Sequence, residues 1–394
     1  MRQIKILFVH HVSTIGGASY CLLNIVRELD RSLFCPVVLL KDDGPLAEEL
    51  HKDGVETVFF PEMSVIPYNK SLFARGSLAA YLSLRRSLPA FRGILLKHKA
   101  DILYLNNMML CGYLQAGREC GCKTVLHVRE HWPLNEHKRQ LKWVRDCVYR
   151  YADGLIAINK YSASIFPDKP SKIVYDWIDV AGRDKRVPLD SVFNEDMAGK
   201  KVFLYMGGVQ RIKGAYEVMK TFCARMKDES CRLLVVGYTK ELSGMGLAGK
   251  VKQIMYRLGI PTYEYKVKML ARQDSRVVCI PGFYEIMDVM RQACCLLSYY
   301  TIPHANLSLA EAIVVGTPVV AARTEESEEY SLGGRLAILY KMNDIDAFES
   351  AVKEFAAGNG KDDSAAGDRK IVAEMFSRER NVRLLTGTLL DLVR

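Results

Sequence analysis

The stretch that decides the fold is Ser308-Leu309-Ala310-Glu311-Ala312-Ile313-Val314-Val315-Gly316-Thr317-Pro318-Val319-Val320-Ala321-Ala322. Its pattern predicts a short helix with one acidic residue, a glycine that ends the helix, and a buried strand that Thr-Pro opens. A second stretch, Gly207-Gly208-Val209-Gln210-Arg211-Ile212-Lys213-Gly214, lies earlier in the chain. Together they predict a site for a sugar nucleotide, with a carboxylate for the ribose and cations for the diphosphate on neighbouring loops of one parallel sheet.

Length and charge bound the class of protein. A chain of 394 residues is too long for one ordinary hydrophobic core, so two domains of roughly 150–200 residues are expected. Hydrophobic residues make up 49% of the chain and charged residues 25%, which is typical of a folded globular protein. The formal net charge of +10 favours anionic partners, namely phosphate-bearing substrates, acidic membrane surfaces or nucleic acid.

Cysteine usage and hydropathy indicate the compartment. The eleven cysteines include no Cys-x-x-Cys pair, and Cys120-Gly121-Cys122 is too tight and isolated for a zinc site, so reduced, mostly buried thiols are expected. No apolar run approaches the ~18 residues that span a bilayer, and Met1–Phe8 begins as a strand without a signal-peptide cleavage region. We expect a cytoplasmic protein, or one that is peripheral on the inner face of the cytoplasmic membrane.

The first half of the sequence alternates strand and helix patterns. The predicted strands are Ile4–Val12, Pro36–Leu40, Glu56–Phe60, Ile102–Leu105, Thr124–Val128, Gly154–Ile158 and Lys172–Tyr175. The predicted helices are Pro45–Lys52 and Tyr20–Leu29, the latter with Ser19 as its N-cap. This alternation predicts βαβ units on a parallel sheet, in a first domain that spans residues 1–180.

The second half repeats the pattern after a polar stretch, residues 181–200, that is interpreted as a linker. The predicted strands are Val202–Met206, Arg232–Val236, Val277–Ile280, Cys295–Tyr299 and Pro318–Ala322, and the predicted helices are Tyr216–Met226, Tyr284–Ala293, Ser308–Val315 and Ile345–Ala356. A second domain is expected at 201–375, followed by a helix within 376–394 that returns to the first domain. The fold class is therefore α/β, with two doubly wound, Rossmann-like parallel sheets that face a central cleft.

Glycine-rich loops follow the first strand of each predicted domain. Gly16-Gly17-Ala18 precedes the first helix, where backbone N–H groups can approach an anion; a tight turn without a ligand is the alternative. Gly207-Gly208 is followed by Arg211 and Lys213. A guanidinium fork and a point charge on one loop suit a diphosphate, and a solvated basic loop is the alternative.

The acidic residue of the opening stretch, Glu311, is expected near the start of its helix. A carboxylate there is stabilised by the helix dipole and can accept from two vicinal hydroxyls, as for a ribose; an ordinary first-turn Glu is the alternative. Gly282 and Phe283 follow the predicted strand Val277–Ile280 and offer backbone groups and a ring to a nucleobase.

On these residues the sequence resembles the retaining glycosyltransferases of family 4, which have the GT-B fold. The resemblance rests on Gly-Gly-Ala at 16–18, Gly-x6-Gly at 207–214 and Glu-Ala-x3-Gly-x-Pro-Val-Val at 311–320, and it spans nearly the whole chain. It implies transfer of a sugar from a nucleotide diphosphate sugar, with retained anomeric configuration and without a metal. It also implies that Lys213 binds the diphosphate and Glu311 the ribose, and that Gly16 and Gly17 abut the phosphates or the acceptor.

Two positions depart from the family pattern. The family usually has Arg directly after the first Gly of the second-domain loop, where this chain has Gly208; Arg211 is the candidate replacement. The family also has a Glu eight residues before the ribose Glu, where this chain has Pro303. The donor side is then completed by four neighbouring residues, His304, Asn306, Leu307 and Ser308. Either this chain binds the nucleotide-sugar donor in an altered way or it has lost catalytic activity.

Candidate groups for the chemistry follow the predicted strand Thr124–Val128, in His127-Val128-Arg129-Glu130-His131. The resemblance places a His that faces the donor sugar at His127. This residue would orient the sugar or stabilise positive charge, because in a front-face substitution the leaving phosphate can take the proton of the acceptor. Glu130 and His131 are alternative general bases. The acceptor side is assigned Arg129, Asn106 and Asn107; a purely structural role is the alternative for each of these residues.

A basic region, Lys70–Lys99, lies within a stretch from Met63 to Ala100 that has no acidic residue. Its cations are interleaved with apolar side chains and comprise Lys70, Arg75, Arg85, Arg86, Arg92, Lys97 and Lys99. Such regions bind anionic membranes, each cation contributing about 1 kcal/mol, which suits a membrane-anchored acceptor. A solvated helix face is the alternative, and the lack of a recognised nucleic-acid-binding motif disfavours nucleic acid.

These features predict a hexosyltransferase that moves a hexose or N-acetylhexosamine from a UDP- or GDP-sugar onto a lipid-linked surface glycan. Two alternatives remain open. A sugar-nucleotide epimerase on the same fold needs carboxylates around the sugar, and the missing Glu at Pro303 disfavours it. A catalytically silent subunit that binds a partner or the membrane is favoured by Gly208 and Pro303.

Overall fold

The computed structural model describes residues 2–67, 76–178, 186–238, 255, 258–259, 262–282, 286–356 and 365–394. The chain divides into two compact units, Met1–Trp177 with Ser377–Arg394, and Ile178–Phe376. Each unit has its own parallel sheet and its own buried core. Within the described ranges, no helix has both the length and the hydropathy that crossing a bilayer requires.

The first unit is built on a parallel sheet. Over its described residues, seven strands form this sheet: β1 (Ile4–His10), β2 (Phe34–Leu40), β3 (Glu56–Phe59), β4 (Ile102–Leu105), β5 (Lys123–Val128), β6 (Gly154–Ala157) and β7 (Lys172–Ile173). The strand order is β3-β2-β1-β4-β5-β6-β7. The order reverses between β1 and β4, and sheets of this kind bind ligands beyond the carboxyl ends of the strands at such a reversal.

The strands of the first unit are joined by α1 (Gly17–Glu28), α2 (Pro45–Lys52), α3 (Ser77–His98), α4 (Leu114–Glu119), α5 (Lys138–Tyr151) and α6 (Lys160–Ser164), with a 3₁₀ helix at Met108–Tyr113. The predicted N-cap of α1 is wrong, because Gly16 occupies that position. Ser19 lies inside the first turn, where it is buried and its hydroxyl is 3.1 Å from Nε2 of His10.

The second unit has a smaller parallel sheet. Six strands form it in the part that the structure describes: β8 (Lys201–Met206), β9 (Cys231–Val236), β10 (Val277–Ile280), β11 (Cys295–Ser298), β12 (Val319–Arg323) and β13 (Ile338–Lys341). Their order is β10-β9-β8-β11-β12-β13, which reverses between β8 and β11. The second candidate site is therefore expected beyond the carboxyl ends of these two strands.

In the described ranges, the helices of the second unit with defined bounds are α7 (Leu189–Phe193), α8 (Ala215–Arg225), α9 (Tyr263–Gln273), α10 (Ile286–Gln292), α11 (Leu307–Val315), α12 (Glu325–Tyr330), α13 (Ile345–Glu354) and α14 (Ala366–Met375), with a 3₁₀ helix at Arg211–Lys213. The stretch interpreted as a linker contains α7. It also contains Glu195, whose carboxylate pairs with Arg232 of β9, Nη2 to Oε2 at 2.7 Å. Residues 186–200 are thus tied to the second unit.

The last helix, α15 (Arg378–Val393), belongs to the first unit. Buried Asn381 accepts the N–H of Tyr175 at 2.9 Å through Oδ1 and donates through Nδ2 to the carbonyl of Ser377 at 2.8 Å. Leu385 and Leu389 are buried in the core beneath this helix. These contacts fix α15 against the sheet of the first unit.

Burial of the strands confines polar chemistry to their ends. All four residues of β4 and all six of β9 are buried, as expected for parallel strands that are covered on both faces. A polar side chain along such a strand loses hydration and needs a partner within the fold, as Arg232 of β9 has in Glu195. The loops that follow the strands are therefore the places where functional groups collect.

Candidate functional site

Polar residues of the first unit meet at the carboxyl ends of β1, β4 and β5. His10 ends β1, Asn106 follows β4, and His127 is the last residue but one of β5. The register aligns Val9 with Leu105, and Leu105 with Leu126, so the residues that follow come to the same edge. The side chains of His10, Asn106 and His127 are all buried there.

The imidazole of His127 is held on one side. Its Nδ1 lies 2.7 Å from the hydroxyl of Tyr104 and 3.4 Å from Nη2 of Arg129. Among the described residues, its buried Nε2 has no hydrogen-bond partner. Burial, followed by the charge of Arg129, lowers the pKa of His127 well below its usual value. His127 is thus a neutral imidazole with one ring nitrogen left for a ligand.

Arg129, expected on the acceptor side, is an internal residue. Its Nη1 lies 2.7 and 2.8 Å from the two carboxylate oxygens of Asp176, and its Nε donates to Oδ1 of Asn106 at 3.0 Å. The side chain is only 6% exposed. A direct contact between Arg129 and an acceptor does not fit this position. No sequence motif marks Asp176, whose role follows from its pairing with Arg129 in the folded chain.

The two alternative general bases are also engaged by the protein. Both oxygens of Glu130 accept the N–H of Met108 at 3.0 Å, and one of them accepts the N–H of Arg129 at 3.0 Å. Burial raises the pKa of Glu130 to about 7 despite these bonds. The ring of His131 stacks on Tyr161, with 3.9 Å between ring centroids. These contacts tie both side chains to the loop after β5.

Two histidines that the sequence analysis missed complete this edge. Asn106 Nδ2 lies 3.2 Å from Nδ1 of His10, and Asn107 Nδ2 lies 2.6 Å from Nδ1 of His11. Burial lowers the pKa of His10 to about 3 and the pKa of His11 to about 4. Both histidines fall inside the predicted strand Ile4–Val12, whereas β1 ends at His10. The available signal was a pair of adjacent histidines, His10 and His11, between the first strand and the glycines at 16 and 17.

The glycine-rich loop of the first unit leads into the N-terminus of α1. Gly16 is the N-cap, and a Cβ on Gly16 or Gly17 would meet no described atom within 4 Å. Their lack of a side chain therefore leaves open space beside the first N–H groups of α1. Such a helix start accommodates an anion.

The basic loop of the second unit carries a cation that has no counter-ion among the described residues. Arg211 is exposed and Lys213 is half-buried on the 3₁₀ helix that follows β8. Burial lowers the pKa of Lys213, and no charged group in the described chain opposes this shift. The Tyr205 hydroxyl donates to the Lys213 carbonyl at 3.0 Å and fixes the loop. A half-buried, unpaired ammonium favours an anionic ligand.

The glycines of this loop serve packing. Gly208 has φ +60°, and a Cβ there would lie 2.6 Å from the carbonyl oxygen of Gly237. The N–H of Gly208 donates to the carbonyl of Val236 at 3.0 Å. Gly208 is also a candidate for donor binding through its backbone, as proposed for Gly16 and Gly17, but this N–H is already bonded and is not available to a phosphate. The close approach to Gly237 also gives the reason why a side chain such as Arg is absent at position 208.

Helix α11 follows β11, the neighbour of β8, and so lies at the same edge of the sheet as Lys213. The N–H of Thr301, in the loop after β11, donates to the carbonyl of Ile212 at 2.9 Å and joins the two loops. Glu311 is half-buried in the second turn of α11, as its fifth residue, and so lies one turn beyond the N–H groups at the helix start. Leu307 and Ser308 are the first two residues of the helix, whose N–H groups have no intrahelical acceptor.

Asn306 caps α11 and is not free for a sugar. Its Oδ1 accepts the N–H of Leu309 at 3.4 Å, and its Nδ2 donates to Oγ of Ser298 at 2.8 Å. A direct contact between buried Asn306 and the donor sugar therefore does not fit. His304 is half-buried, with its ring centroid 5.7 Å from that of Tyr300. Gly282 is exposed after β10, and Phe283 lies outside the described residues.

Two family models match the sequence in turn. A glycosyl transferase 4-like domain matches residues 16–170, and the glycosyl transferases group 1 model matches residues 200–357. The chain belongs to the group 1 glycosyltransferases. No curated protein sequence matches it significantly.

Solved structures share the GT-B fold with this glycosyltransferase. HepE from Anabaena, in complex with UDP and glucose, has a TM-score of 0.72 at 18% identity, covering 98% of this chain and 99% of that chain. A glycosyltransferase from Rickettsia africae has a TM-score of 0.73 at 13% identity, with all of both chains covered. The lipopolysaccharide outer core galactosyltransferase WaaB has a TM-score of 0.60 at 16% identity, covering 98% and 99%. The expected fold of two Rossmann-like sheets is confirmed.

Restoring the arginine of the family at position 208 is expected to destabilise this glycosyltransferase. The change Gly208→Arg places a side chain at positive φ and drives its Cβ into the Gly237 carbonyl, at a combined cost of about 2 kcal/mol or more. Thermal and urea unfolding would measure the loss. The control is Gly367→Ala on exposed helix α14, which gains up to about 1 kcal/mol. Equal stability of Gly208→Arg and wild type would contradict the close approach.

Glu130 is expected to make stability depend on pH. Because its pKa is raised from 4.5 to about 7 in the folded state, the folded chain holds a proton that the unfolded chain releases between these values. Its contribution to stability is full below about pH 4.5 and is lost as the pH rises to about 7. Glu130→Gln should remove this slope, as measured by calorimetry from pH 5 to 8. Exposed Glu62→Gln is the control, and parallel curves for wild type and Glu130→Gln would exclude the buried acid.

Proposed function

We propose that this chain is a retaining hexosyltransferase that moves a hexose or N-acetylhexosamine from a UDP- or GDP-sugar onto a lipid-linked surface glycan. The observation that carries the proposal is Lys213, a half-buried ammonium without a carboxylate partner in the described chain, at the carboxyl edge of a parallel sheet. A diphosphate would supply the missing counter-charge. HepE, in complex with UDP-glucose in one structure, supports a UDP-sugar as the first donor to test.

The nucleotide is proposed to lie between two loops of the second unit. Lys213 and Arg211 contact the diphosphate, and the N–H groups of Leu307 and Ser308 at the start of α11 add donors to it. Glu311, one turn further along α11, accepts from the ribose hydroxyls. The neighbouring positions of β8 and β11 support this pairing, because the loops that follow them are joined by the bond between Thr301 and Ile212.

The proposed reaction is a front-face displacement at the anomeric carbon. The bond from that carbon to the diphosphate oxygen breaks, and a bond to the acceptor hydroxyl oxygen forms on the same face. The acceptor proton passes to the departing phosphate oxygen, so no protein base is needed. His127 donates through Nε2 to the sugar, and Lys213 with Arg211 stabilises the charge that develops on the diphosphate. These two cations would make a metal unnecessary.

A membrane surface is proposed as the location of the acceptor. The described part of the basic region is α3, where Leu78, Leu82 and Leu96 are 68%, 47% and 61% exposed. Arg85 and Arg86 are exposed between these leucines. Lys70 and Arg75 lie outside the described residues. Helix α3 has no acidic residue of its own, and among its cations Arg92 is paired with Glu119 of α4. Its exposed leucines and arginines fit an anionic lipid surface, as does an acceptor such as the lipopolysaccharide of WaaB.

Loss of the Lys213 ammonium should abolish tight donor binding. Lys213→Met keeps the length of the side chain but removes the charge, and is expected to weaken binding of the preferred nucleotide sugar at least about tenfold. Titration calorimetry with UDP- and GDP-sugars measures this, and NMR of the product with a glycolipid acceptor reports the anomeric configuration. Rates in EDTA and in Mg²⁺ should agree.

The matched control for this experiment is Lys220→Met, an exposed lysine on α8 that should bind the donor like wild type. Binding to Lys213→Met that equals wild type would place the donor elsewhere. Wild-type binding without transfer to any glycolipid would favour the catalytically silent subunit.

The charge of α3 should govern membrane binding. Arg85→Glu with Arg86→Glu is expected to lower co-sedimentation with phosphatidylglycerol vesicles about tenfold or more, since each cation contributes about 1 kcal/mol near an anionic surface. The control is Lys138→Glu with Arg139→Glu, which makes the same charge change on exposed positions of α5. An equal loss in both double variants would mean that net charge, and not α3, attracts the protein to vesicles.

A further inference from the structure

His10, Asn106 and His127, at the carboxyl edge of the first sheet, are connected to one buried ion pair. Arg129 holds Asp176 through Nη1, at 2.7 and 2.8 Å to the two carboxylate oxygens, and both side chains are largely shielded, at 6% and 17% exposure. A guanidinium donates hydrogen bonds and accepts none. Each side chain that is hydrogen-bonded to Arg129 must therefore accept through the atom that faces it. This requirement determines which atom donates and which accepts in the next hydrogen bond of each branch.

The first branch runs through Asn106 to His10. Arg129 Nε donates to Oδ1 of Asn106 at 3.0 Å, so the amide NH₂ of Asn106 faces the other way, 3.2 Å from Nδ1 of His10. An amide NH₂ also only donates, and Nδ1 of His10 must accept. The proton of this neutral imidazole then lies on Nε2, which is 3.1 Å from Oγ of Ser19.

The second branch reaches His127 directly. Nη2 of Arg129 lies 3.4 Å from Nδ1 of His127, and the Tyr104 hydroxyl lies 2.7 Å from the same nitrogen. Nδ1 therefore accepts, and the proton of His127 is on Nε2, the buried atom that has no partner among the described residues. A neutral imidazole in this tautomer offers a hydrogen-bond donor at Nε2 and cannot take a proton there.

We propose that Arg129, anchored by Asp176, is a positioning residue that sets the Nε2–H tautomer of both His10 and His127. The tautomers follow from the hydrogen bonds of the free protein. The consequence for catalysis, a fixed donor from His127 to an oxygen of the bound sugar, rests on the proposed function. In this arrangement His127 orients the sugar and is excluded as the base.

The tautomers can be read in the wild-type protein without any substrate. Long-range ¹H–¹⁵N spectra of ¹⁵N-histidine-labelled protein at neutral pH distinguish protonated from unprotonated ring nitrogens, and His10→Gln and His127→Gln variants assign the signals. Both residues should show a bare Nδ1 and a protonated Nε2. A protonated Nδ1 on either histidine would overturn the proposal, whatever the enzyme does with nucleotide sugars.

Two variants test whether Arg129 is the cause. Arg129→Met with Asp176→Met removes both charges together, so no lone charge is left buried. It should leave His10 and His127 as mixtures of tautomers. His11 is the internal control, because its Nδ1 is held by Asn107 and not by Arg129. Unchanged His10 and His127 signals would refute the role of Arg129.

The second variant keeps the ion pair. In Asn106→Asp the carboxylate accepts from both sides, so Nδ1 of His10 should become protonated while His127 keeps its wild-type spectrum. Because this change preserves the shape of the side chain, it remains informative if the double variant fails to fold. A His10 spectrum unchanged by Asn106→Asp would refute the first branch.

Kinetics separate this inference from the proposed function. In Arg129→Met with Asp176→Met, kcat should fall about ten- to hundredfold, by analogy with the loss of an orienting partner from a metal-binding histidine, while KM for the donor changes little. The single variant Arg129→Lys, with Asp176 unchanged, should have a higher kcat than the double variant, because the lysine ammonium can still donate a hydrogen bond. Correct tautomers without any transfer by the wild type would sustain the tautomer assignment and refute the transferase. A change in KM alone would refute the positioning role.

Discussion

Parallel pairing of the strands is the constraint on which both candidate sites depend. In a parallel sheet every carboxyl end opens at one edge, so segments that are distant in sequence meet there. His10, Asn106 and His127 come together in this way, and so do the loops that carry Lys213 and Glu311. Central strands such as β4 and β9 are buried and largely apolar, which leaves their ends as the places where the chain can concentrate hydrogen-bonding groups.

At the edge of the first sheet, the buried pair of Arg129 and Asp176 determines the direction of the neighbouring hydrogen bonds more than it stabilises the fold. Removing two charges from water costs about as much as their attraction returns, so such a pair is weak evidence for a stable fold. A guanidinium can only donate, however, and this asymmetry passes through Asn106 to His10, and directly to His127. The neutral histidines of this edge follow from the same burial that makes the pair costly.

The fold was predictable because it depends on residue types along short segments. Helix Pro45–Lys52 and strand Val277–Ile280 have the predicted bounds, since an apolar pattern and its flanking breakers define them locally. The roles of polar residues depend on partners that sequence does not show. Ser19 and Asn306 have the same capping chemistry, yet Asn306 caps α11 whereas Ser19 pairs with His10. The partner of Arg129, Asp176, lies 47 positions away in the sequence. The local sequence therefore could not show whether Arg129 is a buried structural residue or one that contacts a ligand.

The departures of this chain from its family pattern differ in physical meaning. At position 208 the backbone is left-handed and lies against the carbonyl of Gly237, so glycine there follows from how the loops after β8 and β9 pack. The cations of the loop are retained nearby, exposed on Arg211 and half-buried on Lys213. Gly208 is therefore explained without any loss of activity. Pro303 has no such account, because no contact in the described structure requires it. The question of turnover thus rests on the donor-sugar side of α11, where His304 stands beside the position at which the family has a carboxylate.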